Sequence, residues 1–260
     1  MGRLDAGSQC ILLRAELSGF EDRLAAIHQL IPAQRQIIIR RGDVGVAVQG
    51  VNLDLPDGKA LLRDVSFETA HGEAVLITGP SGSGNSTLLR ALAGLWPFGR
   101  GEIRLGEGRI LFVPQRPYLP LGTLASALLY PYGDRANFPT TRLTAALEEI
   151  GLGALAGELD MVENWSQRLS LDEQQRLAFA RILLAKPAIL FLDETSSALD
   201  ELSEARLYGL VRAAPWRPAV VSFGRRSTLR NFHDRVLDLA AFRPRREQPP
   251  PTLPNSSATH

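Results

Sequence analysis

A chain of 260 residues, 45% hydrophobic and 22% charged, has the composition of a globular protein with a full core. Its 29 Lys and Arg offset 28 Asp and Glu, so no single-sign field argues for nucleic acid or an anionic membrane surface. One cysteine, Cys10, excludes a disulfide framework and a cysteine zinc site, and no apolar run reaches the ~20 residues of a membrane helix. The first residues mix charges into apolar positions, unlike a secretory signal, so a soluble intracellular chain is expected.

Over 8–31, Ile11, Leu12, Leu17, Phe20, Leu24, Ile27, Leu30 and Ile31 recur near helical spacing, which predicts an amphipathic helix ended by Pro32. From Ile37 to Phe67 apolar residues alternate around Pro56-Asp57-Gly58, the pattern of a strand, a turn and a strand. Residues 74–78 form a short apolar strand, Ser86–Leu95 a helix, and Glu102–Leu105 and Arg109–Val113 two further strands. Residues 122–184 are mostly helical in pattern. Strand character returns at Ala188–Leu192, Ala219–Ser222 and Arg235–Leu239, with a helix over 200–213. That order predicts an α/β fold with a largely parallel central sheet. The stretch from Ala241 to His260 is rich in proline without apolar period, and is expected to be a disordered tail.

The strand at 74–78 runs into Gly79-Pro-Ser-Gly-Ser-Gly-Asn-Ser-Thr87, which opens a helix. Gly79, Pro80, Ser81, Gly82, Ser83, Gly84, Asn85, Ser86 and Thr87 match Gly-x-x-x-x-Gly-Lys-Ser/Thr at every defined place except Asn85. Its glycines let successive N–H groups face one centre at a helix N-terminus, which suits phosphate, and Ser86 can offer its hydroxyl to Mg²⁺. A lysine would add a full charge for the β- and γ-phosphates; an Asn amide adds only a dipole. At an effective dielectric of ~20 and ~4 Å, a unit charge pair is worth roughly 4 kcal/mol before desolvation.

The loop, Gln115, Leu169-Ser-Leu-Asp-Glu-Gln-Gln-Arg176 and Ala188-Ile-Leu-Phe-Leu-Asp-Glu194 occur in the order of an ABC transporter nucleotide-binding domain. The segments Gly94–Ile103 and Pro114–Tyr118 resemble especially the cassettes of peroxisomal acyl-CoA half-transporters and their bacterial relatives. The resemblance covers about 40–240, and 18–31 resembles the segment joining the last membrane helix to the cassette. It implies a P-loop NTPase core, an antiparallel β region on the N-terminal side and a helical subdomain. It also implies that Glu194 polarises the attacking water, that Ser86, Gln115 and Asp193 hold Mg²⁺, and that Gln115 senses the γ-phosphate. Ser170, Leu171, Asp172, Glu173 and Gln174 correspond to the signature that meets a partner subunit's nucleotide, and Ser197–Asp200 to a loop touching that partner.

Three positions depart from the family pattern: Asn85, Asp172 where the signature has Gly, and Arg225 where the switch loop has His. Asp172 brings bulk and a like charge toward a triphosphate, although Ser170 and Glu173 form a capping box that favours the helix. Arg225 can attract phosphate but is no tunable imidazole, and His233 lies too far along the chain to replace it. Leu55 stands about where many cassettes carry an aromatic for the adenine.

The resulting expectation is a linker helix over 1–36, an ATP-binding cassette over 37–240 with its helical subdomain at about 120–184, and a tail over 241–260. The function implied is Mg-ATP binding in an ABC transporter, with hydrolysis impaired. Expected partners are a second cassette, as homo- or heterodimer, and a membrane-domain protein, but no nucleic acid; the place expected is the inner face of the membrane, peripherally. The alternative is a non-enzymatic cassette kept as nucleotide sensor, dimer partner or gene remnant.

Overall fold

A computed structural model of the chain describes residues 37–42 and 45–244. The helix expected over 8–31 and the stretch from 245 onward lie outside the described residues. Two sheets carry the architecture. The first comprises β1 (Ile37–Gly42), β2 (Val46–Asp54), β3 (Ala60–Thr69) and, after β4 (Ala74–Thr78), β5 (Gly99–Gly106), in the order β1-β5-β2-β3. In it β2 runs antiparallel to both β3 and β5, while β1 runs parallel to β5. The second combines β4 with β6 (Ile110–Val113) and, further along the chain, β9 (Ile189–Asp193), β10 (Ala219–Phe223) and β11 (Arg235–Asp238). Its order is β11-β4-β10-β9-β6 and every pairing is parallel.

Strands β4, β6, β9 and β10 are short and largely apolar because both faces are covered, whereas the edge strand β11 is mostly exposed. Alternate residues divide between two cores. Val75, Ile77, Phe112, Phe191 and Val221 pack toward the first sheet, whereas Leu76, Leu111, Leu190, Leu192 and Val220 pack toward the helices. Between the sheets, α1 (Asn85–Leu92) buries Leu88, Leu89, Ala91 and Leu92.

The helical region begins with β7 (Gly122–Thr123), which pairs antiparallel with β8 (Val162–Glu163). Around this pair stand α2 (Leu124–Leu129), α3 (Thr140–Glu149), α4 (Trp165–Arg168) and α5 (Leu171–Ala185). Trp165 is fully buried there and donates its indole N–H to the carbonyl of Gly122 at 3.0 Å. Finally, α6 (Glu201–Arg212) is capped by Asp200, whose carboxylate accepts from the Ser203 N–H at 2.8 Å.

Three boundaries differ from the sequence reading. Ile37–Gly42 is a separate edge strand rather than part of a single strand–turn–strand unit, because it pairs with the distant β5 and not with its neighbour β2. The strand expected at Glu102–Leu105 starts earlier, at Gly99. Gly101, at φ +128°, lies so close to β2 that a Cβ would stand 2.7 Å from the Val51 Cα. Helix α1 stops at Leu92 rather than Leu95: Gly94 turns left-handed at φ +75°, and the Leu95 N–H reaches back to the Arg90 carbonyl at 2.8 Å. Past β11, a helical turn over Leu239–Phe242 packs Phe242 against the core between the sheets.

Candidate nucleotide site

The loop between β4 and α1 bounds a cavity of about 370 Å³, large enough for a nucleotide-sized ligand. Pro80, Ser81, Gly82, Ser83, Gly84, Asn85, Ser86 and Thr87 line it, with Leu55 and Leu61 as apolar surface and Arg225 as the cationic side chain of the lining. Gly82 and Gly84 adopt φ +75° and +105°, which residues with a Cβ rarely do. Gly79 closes the loop from beneath: a Cβ there would meet the Ser83 Oγ at 2.4 Å. The buried Ser83 hydroxyl donates to the Asn85 Oδ1 at 3.2 Å, so the amide carbonyl turns back into the loop.

Asp193 ends β9 and Glu194 leaves it in the left-handed region at φ +45°. This strained conformation is held by the Glu194 N–H, which donates to the Phe223 carbonyl of β10 at 2.9 Å. Burial pushes the Asp193 carboxyl up to about 6, the Glu194 charge adds to the rise, and Arg90 opposes it. The Glu194 carboxylate accepts from the Gln115 Nε2 at 3.3 Å and faces the Arg225 Nε at 3.4 Å. Gln115 also donates to the Ser197 Oγ at 3.2 Å.

Oxygen donors are what a hard divalent cation requires, and the Ser86 hydroxyl, Gln115 amide and Asp193 carboxylate are of that kind. The donor types suit Mg²⁺, and a divalent charge would favour the ionised form of the desolvated Asp193 carboxyl; of the three, Ser86 alone is among the cavity's lining residues.

The signature segment stands outside this cavity within one chain. Ser170 caps α5: its hydroxyl accepts from the Glu173 N–H at 3.3 Å, while the Glu173 carboxylate accepts from the Ser170 N–H at 2.8 Å. Leu171 is half-buried at the first turn, and the Gln174 amide donates to the carbonyls of Ser166 and Leu169. Asp172 is not an isolated charge. Its Oδ2 accepts from the Arg176 Nε at 2.9 Å, and Arg176 continues to the Ser203 Oγ at 3.0 Å. The like charge read from sequence toward a triphosphate is thereby offset one helical turn away.

His233 faces inward. Its Nε2 lies 2.7 Å from the Ser222 Oγ and its Nδ1 2.7 Å from the Leu229 carbonyl, and burial holds it below the usual histidine range.

Sequence reasoning missed two residues that knit the site together. Gln175, fully buried, donates to the Gln115 carbonyl at 2.9 Å and the Ser197 Oγ at 3.0 Å, and accepts from the Ala198 N–H at 2.9 Å. Arg226 donates to the carbonyls of Ser196 and Leu199 at 2.8 and 2.7 Å. The available signal was helical phase: Gln175 precedes buried Ala178 and Phe179 by three and four positions, so it points into the core.

The chain is similar to known proteins over most of its length. A family model described as ABC transporter matches residues 62–197. An uncharacterized ABC transporter ATP-binding protein of Haemophilus influenzae is 39% identical over 204 residues, covering 78% of this chain and 34% of the relative. A second, from Synechocystis, is 44% identical over 210 residues, covering 79% and 31%. The human ATP-binding cassette sub-family D member 3 is 39% identical over 191 residues, covering 70% and 29%. This chain therefore spans about a third of the length of the curated relatives it matches. Among solved structures, a bacterial Atm1-family ABC exporter with ATP bound superposes at a TM-score of 0.65 and 26% identity, covering 87% of this chain and 43% of that one.

Proposed function

This chain belongs to the ABC transporter family, and we propose that it binds Mg-ATP in the cavity of the β4–α1 loop as the cassette of a transporter, with impaired hydrolysis. The observation that carries this reading is the loop itself. Eight consecutive residues, Pro80 to Thr87, bound one cavity at the start of α1, with an arginine in the same lining.

In this reading the backbone N–H groups of the loop hold the phosphates and Leu55 and Leu61 cover the base by apolar contact. Ser86, Gln115 and Asp193 would hold Mg²⁺, which when bound would neutralise charge on the triphosphate. Glu194 is the group that would take the proton of the attacking water, with Gln115 orienting it. Three features support impairment: Asn85 brings no charge, Asp172 puts a side chain, its charge offset by Arg176, where the signature has Gly, and Arg225 occupies the Glu194 carboxylate at 3.4 Å.

The partners proposed are a second cassette, whose signature would complete each site, and a membrane-domain protein. Among the described residues no helix is long and apolar enough to cross a membrane; the place proposed, peripheral on the inner face of the membrane, rests on membership of the family. The Arg225–Glu194 pair favours a second reading as well, a cassette that binds nucleotide as a sensor or dimer partner and does not turn it over.

Calorimetric titration with Mg-ATP, alongside Asn85→Lys and an ATPase assay, tests the proposal. Binding with slow or no turnover is the expected result. Absence of binding in both chains would overturn nucleotide binding.

A further inference from the structure

We propose that His233 is a proton-sensitive latch: its neutral imidazole ties the helical turn Ser227–Phe232 to strand β10, and its protonation releases that turn. His233 is not among the residues lining the nucleotide cavity, and the latch works with or without nucleotide.

The hydrogen bonds fix which ring nitrogen carries the proton. The Leu229 carbonyl can only accept, so the Nδ1 that lies 2.7 Å from it must donate. In the neutral ring Nε2 is then bare, and the Ser222 hydroxyl at 2.7 Å donates to it. One imidazole thus accepts from β10 and donates to the turn that follows. Both ends of the joint are buried. Ser222 has no exposed surface, and Leu229 packs so closely on Gly224 that a Cβ there would meet its Cδ1 at 2.4 Å. Between the two ends runs the segment that brings Arg225 into the cavity lining.

The charged groups around the ring are already engaged. Asp234, the next residue, accepts from the Ala74 N–H at 2.7 Å and from Arg212 of α6 at 2.9 and 3.0 Å. Tyr208 of α6, its ring centroid 5.7 Å from the imidazole, is pushed up to about 12 by burial and stays neutral. Glu204 on the same helix is closed by Arg226. On the segment itself Arg230 is exposed and Arg235 faces Glu73, while β4 and β10 carry no titratable side chain. A proton on His233 therefore brings a charge that no free acid among these groups receives. Burial holds the imidazole below the usual histidine range and Arg212 lowers it further, against the opposite pull of the Leu229 bond and Asp234.

Protonation turns Nε2 from acceptor into donor. The Ser222 hydroxyl loses the lone pair it faced, and its burial leaves it no water to turn to. The imidazolium, only partly buried, is better solvated by swinging outward, which gives up both bonds. Because the folded value lies below the unfolded 6.5, the opened segment binds the proton more tightly. Closure is complete above 6.5 and weakens as pH falls from there through the lower folded value. Acid thereby loosens the wall of the cavity that Arg225 forms.

The test is imidazole ¹H–¹⁵N NMR and amide hydrogen exchange on the full chain between about pH 7.5 and 5, for the unaltered protein and His233→Asn. The expected result is a proton on Nδ1 at the upper end. Protection factors at Leu229 and His233, whose N–H groups bond the Arg226 and Arg230 carbonyls, should fall severalfold in acid, in step with the titration of the His233 ring. His233→Asn, whose amide can donate to the Leu229 carbonyl and does not titrate, should lose that acid dependence. Asp193 shifts global stability the opposite way over the same range, so the local protection is the readout. A proton on Nε2 at neutral pH overturns the latch. So does protection that is unchanged in acid, that falls out of step with the imidazole, or that falls equally in His233→Asn. The measurements on the unaltered chain decide the matter even if the variant does not fold.

Discussion

The carboxylate of Glu204, with none of its surface exposed, is closed by the guanidinium of Arg226 at 3.2 Å. The Ser196 hydroxyl donates to the same carboxylate at 2.6 Å, and Thr228 donates to its other oxygen. One buried acid on α6 thus joins the segment after β9 to the segment after β10, the two stretches that deliver Glu194 and Arg225.

Breaking that pair from one side should be severe. Arg226→Ala leaves a buried charge without its partner, a change that typically costs about 3–5 kcal/mol. It also orphans two loop carbonyls. Urea unfolding of Arg226→Ala should show a midpoint far below the unaltered chain, and Arg226→Ala/Glu204→Gln should recover part of the loss. A single variant as stable as its parent would show that the ion pair contributes nothing to the fold.

Gln175 makes a second, neutral joint. Replacing it with Leu keeps the apolar neighbours of α5 but leaves the Gln115 carbonyl and the Ala198 N–H without their partner. Both groups belong to exposed residues that water can reach, so each lost bond costs about 0.5–1.5 kcal/mol and Gln175→Leu should lose roughly 1–3 kcal/mol. Amide exchange should rise first at Ser197 and Leu199, whose turn bonds hold that loop.

The pH dependence follows from Asp193. Its folded value, raised to about 6 by burial and by Glu194, lies above the unfolded value of 3.8. Such an acid binds its proton more tightly when folded, so its contribution to stability is most favourable below the unfolded value and is lost as pH rises through about 4 to 6. In the absence of nucleotide and metal, Asp193→Asn should therefore raise the melting temperature at pH 7.5, and the gain should shrink steadily as pH falls through 6 toward 4. An equal gain across that range would show that the carboxyl is not desolvated.

Much of this was legible because local chemistry and tertiary role coincide. The strand Ala74–Thr78, its glycine loop and the capping box of Ser170 and Glu173 are written in contiguous residues, and each folds as its own pattern requires. The edge strand at Ile37–Gly42 was merged into its neighbours because its partner β5 lies some sixty residues away, beyond any local period. The reach of β5 back to Gly99 was hidden by glycines that resemble a turn but serve close backbone approach. Asp172 illustrates a different limit. Its charge was read correctly, but the arginine that offsets it had no role assigned in the motif, although the four-residue spacing was there to be read.

That pair sharpens the last prediction, reversal of the three departures together. Asp172→Gly alone removes an i,i+4 ion pair worth about 0.3–0.5 kcal/mol and places glycine in the first turn of α5, so it should lower stability by up to about 1 kcal/mol. Asn85→Lys alone restores a phosphate charge while Arg225 still engages Glu194, and Arg225→His alone frees Glu194 while the loop stays uncharged. Because groups of one site act as a unit, each single change should yield little turnover. The combined Asn85→Lys/Asp172→Gly/Arg225→His chain should hydrolyse Mg-ATP at least ~10²-fold faster than the unaltered one, the scale of regaining one transition-state charge contact. Steady-state phosphate release, with Glu194→Gln in the same background as control, measures it. Turnover abolished by that control would place the proton-accepting role on Glu194. A triple variant that binds Mg-ATP without turning it over would show a cassette disabled beyond these positions, and the sensor reading would stand.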